Sequence, residues 1–455
     1  MGKRIIIIGG GPAGYEAALH GAHLGGNVTL IEDHKIGGSC LNYGCIPTKT
    51  LIEHANFYDK LVHNKHLGVR VNEAILDYDQ VLRHKDSVIE SLSSGIMSKL
   101  KKAKVTYISG YGRIVDGSKV EVKRPDGSIT LVKGDVIVLA TGSKPFVPQF
   151  PGGDSQHLLT SKDLLSLEKL PTTITIVGGG VIGMEFAVLL NAFGVQVTVL
   201  EYAKNLLPLI DSAISKRLKS IISKKGITVY TGAKVTGFED VGHRLKVIYE
   251  DKTGVHELIS DKALMSIGRV GRYDLDNMDE QGIQHNERFV QVDDQLMTSL
   301  QGIYAIGDVN GQSLLAHAAY DQGRQVMECI ILERPVQKRL VPACVFTNPE
   351  IATVGLSEDE AKVQAIAYTC QRTLYSTSGK ALAMDASTGF IKTLVSEKGL
   401  IIGFHVFGEH ASDLVHYGSI AMEGKMTVEQ LKNIIFAHPT LGELFSDNMR
   451  QYGSI

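Results

Sequence analysis

One arrangement of residues occurs twice in this chain and leaves little freedom in the choice of fold. Ile5-Ile6-Ile7-Ile8 runs into Gly9-Gly10-Gly11-Pro12-Ala13-Gly14, and Ile174-Thr175-Ile176-Val177 runs into Gly178-Gly179-Gly180-Val181-Ile182-Gly183. An apolar, β-branched run without polar alternation suits a parallel strand covered on both faces. A GxGxxG loop after such a strand, opening a helix, places backbone amides where a pyrophosphate can approach. The pattern predicts helices over residues 15–24 and 184–192, then strands over 28–31 and 195–200. Each second strand runs into an acid, Glu32 or Glu201, placed to bind an adenosine ribose. One glycine fingerprint is a weak signal, but two with strand, helix and acid in register predict an α/β fold with two Rossmann-like dinucleotide-binding domains. Gly9, Gly11 and Gly14 line the first predicted site, and Gly178, Gly180 and Gly183 the second. Glu201 favours NAD over NADP, because a carboxylate accepts the free 2′-hydroxyl and repels a 2′-phosphate; Lys204 is the nearby cation.

The chain is long enough for two to four cores, with 455 residues and 44% hydrophobic content. No segment approaches the roughly 18 apolar residues of a membrane span. The 47 basic and 49 acidic residues nearly cancel, so neither a nucleic-acid surface nor an anionic membrane partner is expected. The first four residues and the isoleucine run are too short for a signal peptide and read as a buried first strand. Five cysteines, three of them isolated (Cys329, Cys344, Cys370), do not make a secreted disulfide framework. A reducing compartment is expected, the cytoplasm or an organelle matrix.

Cys40 and Cys45 lie in GGSCLNYGCIPTK, residues 37–49. An ideal helix would separate their Cα atoms by about 8.6 Å, beyond the ~7 Å limit of a disulfide, so a bonded pair needs a bent backbone. Gly44 and Asn42 would permit the bend. Pro47 suits the first turn of a following helix, whose positive end favours a thiolate at Cys45. From spacing alone a redox couple and two buried cysteines are evenly matched, and half of a metal site is less favoured because no second Cys or His pair stands at zinc-site spacing.

Two shorter signatures complete the set: a strand at residues 136–139 ending in Ala140-Thr141-Gly142, and a strand at 303–306 ending in Gly307-Asp308. With the two fingerprints, these motifs resemble the flavoprotein disulfide reductases, and most closely the dihydrolipoamide dehydrogenase branch of the pyridine nucleotide-disulfide oxidoreductases. The likeness covers essentially the whole chain. It extends through GGGVIGMEFA (178–187), SIGR (266–269), GDVNGQSLLAHAAYDQGR (307–324), TNPEIATVGLSEDEA (347–361) and HPTLGE (438–443).

The resemblance implies FAD in the first unit and NAD in the second. By it, Asp308 binds the ribityl chain, Lys49 lies by the flavin and pairs with Glu185, and the helix near Ala316 aims amides at the flavin carbonyl edge. Thr141, Gly142 and Gly268 line the cofactor sites, and His317 is structural. Cys40 exchanges with the substrate while Cys45 faces the flavin. His438, oriented by Glu443, is the base, delivered by the partner subunit of a homodimer. The implied reaction converts a dihydrolipoyl dithiol and NAD⁺ to a lipoyl disulfide and NADH. The implied partner is a lipoyl-bearing acyltransferase or a glycine-cleavage carrier protein. Expected boundaries are an FAD domain at 1–146, an NAD domain at 147–272, a central domain at 273–340 and an α+β dimerisation domain at 341–455.

Rival readings fit less well. A glutathione-type reductase would want basic residues where Glu201 stands, a mercuric reductase a terminal cysteine pair, and a transhydrogenase or oxidase lacks part of the Cys40-Cys45 pair. A chain acting mainly as an assembly component, or on another disulfide, stays open. Tyr43, Thr48, Val270-Gly271-Arg272 and Asn348 depart from the usual pattern without touching a catalytic atom.

Overall fold

The computed structural model describes residues 2–63, 68, 69, 71–273, 278 and 280–452. The isoleucine run forms the strand Arg4–Ile8, and Ile5 to Ile8 are each at most 4% exposed. It is the centre of a five-stranded sheet, flanked by Asn27–Glu32 and Thr106–Ser109 on one side and by Val136–Leu139 and Ile303–Ala305 on the other, every pairing parallel. Fully burying an isoleucine contributes about 1.5–3 kcal/mol, so four in a row fix this strand at the middle of the sheet.

The second unit repeats the plan. Thr173–Val177 is the centre of a parallel five-stranded sheet, between Gln196–Glu201 and Lys262–Met265. The register repeats too: Ile5 stands beside Val28 as Ile174 stands beside Val197. Each unit carries a three-stranded antiparallel sheet, Tyr111–Asp116 to Ile129–Lys133 in the first and Lys234–Val241 to Gly254–Ser260 in the second. Between the units, Ser143–Pro145 pairs antiparallel with Arg269–Gly271, so the chain crosses out and back through one short ribbon. Strand Ile303–Ala305 then returns to the first sheet beside Val136–Leu139.

The last part is a five-stranded antiparallel sheet, in the order Ala343–Val345, Ile351–Gly355, Ile401–Phe407, Phe390–Val395, Thr369–Leu374. Helices Ala411–Glu423 and Glu443–Gln451 close a core of Phe404, Val406, Leu414, Val415 and Phe445 over it. A second core runs continuously from Leu51 and Ile52 through Phe186 and Leu189 to Val345, Phe390 and Phe407. Lys392, Asp211 and Glu358 bridge the same junction as a buried ion-pair cluster, with Lys392 Nζ 2.7 Å from Asp211 Oδ2.

Several expected helices begin earlier than the hydrophobic pattern indicates. They run Pro12–His23 and Val181–Ala192, starting directly on the glycine loops. The long helix Tyr78–Lys102 starts at Asp77, which caps it by accepting the Gln80 amide at 2.9 Å. No helix among the described residues is long and apolar enough to cross a membrane.

Candidate active site

The two glycine loops are near copies at atomic level. Gly9 and Gly178 both have φ +107°, and a Cβ there would stand 2.2 Å from the Ala140 carbonyl oxygen or 2.5 Å from that of Ser266. Gly14 and Gly183 carry helix against strand: an added Cβ would meet the Gly9 oxygen at 1.8 Å or the Gly178 oxygen at 1.9 Å. The middle glycines differ from these. At Gly11 a Cβ would touch only the Gly38 Cα, at 3.8 Å, and at Gly180 it would meet nothing within 4 Å. Packing inside the chain therefore demands the first and third glycines, and space for a ligand accounts for the second.

The acids sit in the same relation. Glu32 accepts the Gly10 amide at 2.5 Å and the His34 amide at 2.8 Å; Glu201 accepts those of Gly179 at 2.6 Å and Ala203 at 2.5 Å. Burial pushes the Glu32 carboxyl up to about 7, against the pull of its two amide donors.

Beside the first loop the backbone delivers the two thiols. Cys40 lies in the helix Gly38–Tyr43, and Cys45 opens the helix Cys45–His63. The bend needed between them falls at Gly44 alone, with φ −145° and ψ −113°. Asn42 is no part of it: it is buried in regular helix, and its Nδ2 donates to the carbonyls of Ile36 at 3.0 Å and Gly38 at 2.9 Å. Its Oδ1 is buried without a hydrogen-bond partner among the described residues.

Both cysteines are free thiols, Cys40 half-buried and Cys45 reaching solvent. A hydrogen bond from Cys40 lowers the Cys45 thiol to about 7, burial opposing and the Lys49 ammonium helping. The same hydrogen bond, with burial, pushes Cys40 up. The pair is thus asymmetric, with Cys45 the thiolate and Cys40 the proton donor, as the helix N-terminus at Cys45 also favours.

Lys49, one turn beyond Cys45, reaches across to the second unit. Its Nζ lies 2.9 and 2.7 Å from the two oxygens of Glu185, which stands in the first turns of the helix after the second glycine loop. Glu185 also accepts the Phe346 amide at 3.0 Å, and Lys49 lies 4.6 Å from the centroid of the Phe346 ring. A carboxylate this buried would be costly without those partners.

On the returning segment, Asp308 opens a short 3₁₀ turn, Gly307–Asn310, and accepts the Ser143 hydroxyl at 2.5 Å. Arg269 donates to that hydroxyl at 2.7 Å and to the Ser143 carbonyl at 2.8 Å. Burial raises the Asp308 carboxyl, while Ser143 and Arg269 hold it down. Thr141 donates its hydroxyl to the Arg272 carbonyl at 2.6 Å, and Gly142 (φ +73°) accepts the Arg272 amide at 2.8 Å. Gly268 (φ +124°) follows the corresponding strand of the second unit, Lys262–Met265, and accepts the Phe146 amide at 3.0 Å. The helix Ala316–Leu332 begins with no side-chain cap, leaving its first amides open to an acceptor. His317 Nε2 donates to the Pro342 carbonyl, 2.6 Å away, which is a structural contact.

Open middle glycines, an uncapped helix start and the Asp308 carboxylate fit FAD in the first cradle, and the second cradle fits NAD. Among the described residues no group of three or more metal-ligating side chains occurs.

His438 Nδ1 lies 2.9 Å from Glu443 Oε1, and Glu443 also accepts the Thr440 amide at 2.9 Å. Those two contacts hold the Glu443 carboxyl below its ordinary value. The imidazole is 78% exposed, and no hydrogen bond or ion pair joins it to either cysteine of its own chain among the described residues. Within one chain the structure thus assembles every expected site residue around the two cradles except His438 and Glu443. Residue-level reading missed Ser143, Phe346 and the hydroxyl pair Tyr15–Tyr320, since serines and aromatics carry no spacing signal of their own.

Comparison with known proteins agrees with this geometry. Residues 3–323 match the pyridine nucleotide-disulphide oxidoreductase family, and residues 341–449 match that family's dimerisation domain. The chain is 37% identical to the dihydrolipoyl dehydrogenase of Mycoplasma genitalium over 98% of both chains. It is 35% identical to that of Geobacillus stearothermophilus, over 96% of this chain and 94% of the relative. Among solved structures, LpdA from Mycobacterium tuberculosis superposes with a TM-score of 0.92 at 30% identity, covering 99% of each chain. The flavoprotein disulfide reductase RclA from Escherichia coli, in a Cu(II) complex, gives 0.89 at 26% identity, covering 99% of this chain and all of that one. With two nucleotide cradles, a thiol pair between them and matches along nearly its whole length, the chain belongs to the pyridine nucleotide-disulphide oxidoreductases, flavoenzymes that use FAD and NAD.

Proposed function

We propose that this oxidoreductase oxidises protein-bound dihydrolipoyl groups to the lipoyl disulfide with NAD⁺ as acceptor. The observation that carries the reading is the asymmetric thiol pair, its Cys45 thiolate backed by a Lys49–Glu185 bridge between the two cradles. Bound in the first cradle, FAD supplies a two-electron relay between thiols and nicotinamide. The chain's own residues do the rest. Cys40 takes the substrate sulfur in exchange, and Cys45 leaves as the stabilised thiolate. Glu32 and Glu201 would hold riboses, Asp308 the ribityl chain, and the Ala316 amides the carbonyl edge of the ring. Lys49 fixes the charge beside Cys45.

His438 acts as base on the substrate thiol, its Nδ1 held by Glu443 so that the other nitrogen takes the proton. Its exposed position, with no link to the cysteines of its own chain among the described residues, supports delivery to the site of a second copy, with residues 341–455 as the dimerisation domain. The remaining boundaries follow as 1–146, 147–272 and 273–340. A lipoyl-bearing acyltransferase or glycine-cleavage carrier would present the dithiol, in the cytoplasm or an organelle matrix.

Steady-state assay of the FAD-loaded protein tests this reading. Dihydrolipoamide with NAD⁺ should give rapid NADH formation, and NADP⁺ much less. Turnover only with NADPH and a different disulfide would overturn it.

A further inference from the structure

Two tyrosines stand at the thiol side of the first cradle and have no part in the roles assigned so far. Tyr15 lies in the first turns of the helix Pro12–His23, and Tyr320 in the second turn of Ala316–Leu332. These helices meet closely: a Cβ on Gly323 would stand 2.7 Å from the Ala13 carbonyl oxygen. The close approach brings the hydroxyls together. Tyr15 Oη donates to Tyr320 Oη at 2.8 Å, with ring centroids 5.8 Å apart.

The direction of that bond matters. Tyr15 spends its proton on Tyr320, and the Tyr320 proton is donated to no acceptor among the described residues, although the side chain is half-buried. A partly enclosed hydroxyl with an uncommitted proton is a donor waiting for an acceptor.

Cys40 lies close enough for its charge to act on both phenols. Gly38, two residues before it, packs on Gly11, where an added Cβ would stand 2.6 Å from the Gly11 Cα. Tyr15 follows Gly11 by one helical turn, so Cys40 and Tyr15 flank the same contact. Burial keeps both phenols protonated, in the donor form, and charge on Cys40 adds to it.

We propose that Tyr320, oriented by Tyr15, donates a hydrogen bond to the Cys40 sulfur when Cys40 is expelled as a thiolate during substrate exchange. The inference rests on the dithiol-oxidase reading. In the first exchange the substrate thiolate attacks the Cys40 sulfur of the disulfide, and Cys45 leaves as thiolate. In the second, the other substrate sulfur attacks the first, closing the substrate disulfide and breaking its bond to Cys40. The electron pair of that bond stays on Cys40. Tyr320 stabilises this charge until Cys40 takes the proton the substrate gave up. Two electrons have then passed from the dithiol to the cysteine pair.

Two variants test it, Tyr320→Phe and Tyr15→Phe, in FAD-loaded protein. A hydrogen bond to a charged sulfur should be worth about tenfold in rate, so Tyr320→Phe should lower kcat/KM for dihydrolipoamide about tenfold relative to its NADH–ferricyanide rate. Tyr15→Phe, which frees Tyr320 to rotate, should cost less, about threefold. A second readout does not need turnover. In the reduced protein, iodoacetamide capture of Cys40, located by fragment mass spectrometry, should need a pH about one unit higher in Tyr320→Phe. An unchanged Cys40 alkylation profile with dithiol turnover within twofold of wild type would overturn the proposal, as would equal loss of the dithiol and ferricyanide rates. A wild-type protein inactive with dihydrolipoamide would overturn the function reading and this inference together.

Discussion

The two glycine-loop units share strand register, loop dihedrals and a doubly hydrogen-bonded acid, yet their surroundings differ. The first is enclosed. Gly38 packs on its loop, Arg272 reaches in from the far side of the linking ribbon to Asp33 at 3.1 Å, and the returning segment brings Asp308 and the helix start at Ala316. The second stays open: Gly180 faces empty space, Val181 is 43% exposed and Tyr202, directly after Glu201, is 75% exposed. The same fold element is thus enclosed in the first unit and open in the second. The Lys49–Glu185 bridge joins them beside the thiols.

Filling the middle glycines is the strongest way to break this comparison. Gly11→Val should yield protein with little bound flavin, read as the flavin-to-protein absorbance ratio after purification. Gly180→Val should keep its flavin and raise the KM for NAD⁺ about tenfold or more, because the pyrophosphate loses its approach. Equal flavin loss in both variants would erase the distinction between the cradles.

A smaller effect separates the two acids' neighbourhoods. Glu32 is followed by Asp33, which Arg272 holds ionised, whereas Glu201 is followed by Tyr202. Because burial raises Glu32 to about 7, the folded chain binds a proton there that the unfolded chain has released above its ordinary value near 4.5. Stability from this group is therefore greatest at low pH and is lost as pH rises towards 7. In flavin-free protein, Glu32→Gln should flatten the pH dependence of unfolding between about pH 5 and 7, by about 1–3 kcal/mol across the window. A slope unchanged by the substitution would show that Glu32 ionises freely.

Much of this site is legible in the residues because its chemistry is tied to backbone. Gly14 and Gly183 are demanded by contacts within their own loops, and Gly9 and Gly178 by a positive φ against the carbonyl of a neighbouring strand end, so the spacing of each loop survives in the sequence. The bend at Gly44 was legible for the same reason, while Asn42 was misjudged because its side chain bonds carbonyls within regular helix instead of bending it. The family motifs made the Lys49–Glu185 pair legible across 136 positions. What stayed hidden depends on tertiary approach alone. Ser143 meets Asp308 through the two-stranded ribbon, and Tyr15 meets Tyr320 through helix packing at Gly323, neither of which leaves a periodic trace. Helix starts were missed where a loop glycine, not an apolar residue, sets the first turn.

The central claim is that a substrate dithiol gives its electrons first to Cys40 and Cys45. Its most direct test is anaerobic titration of the oxidised, FAD-loaded protein with dihydrolipoamide, followed by iodoacetamide and mass spectrometry of the peptide holding both cysteines. The account predicts that neither cysteine is alkylated before reduction and that one equivalent of dithiol makes both alkylatable. Flavin reduction with both cysteines still closed to alkylation would contradict it.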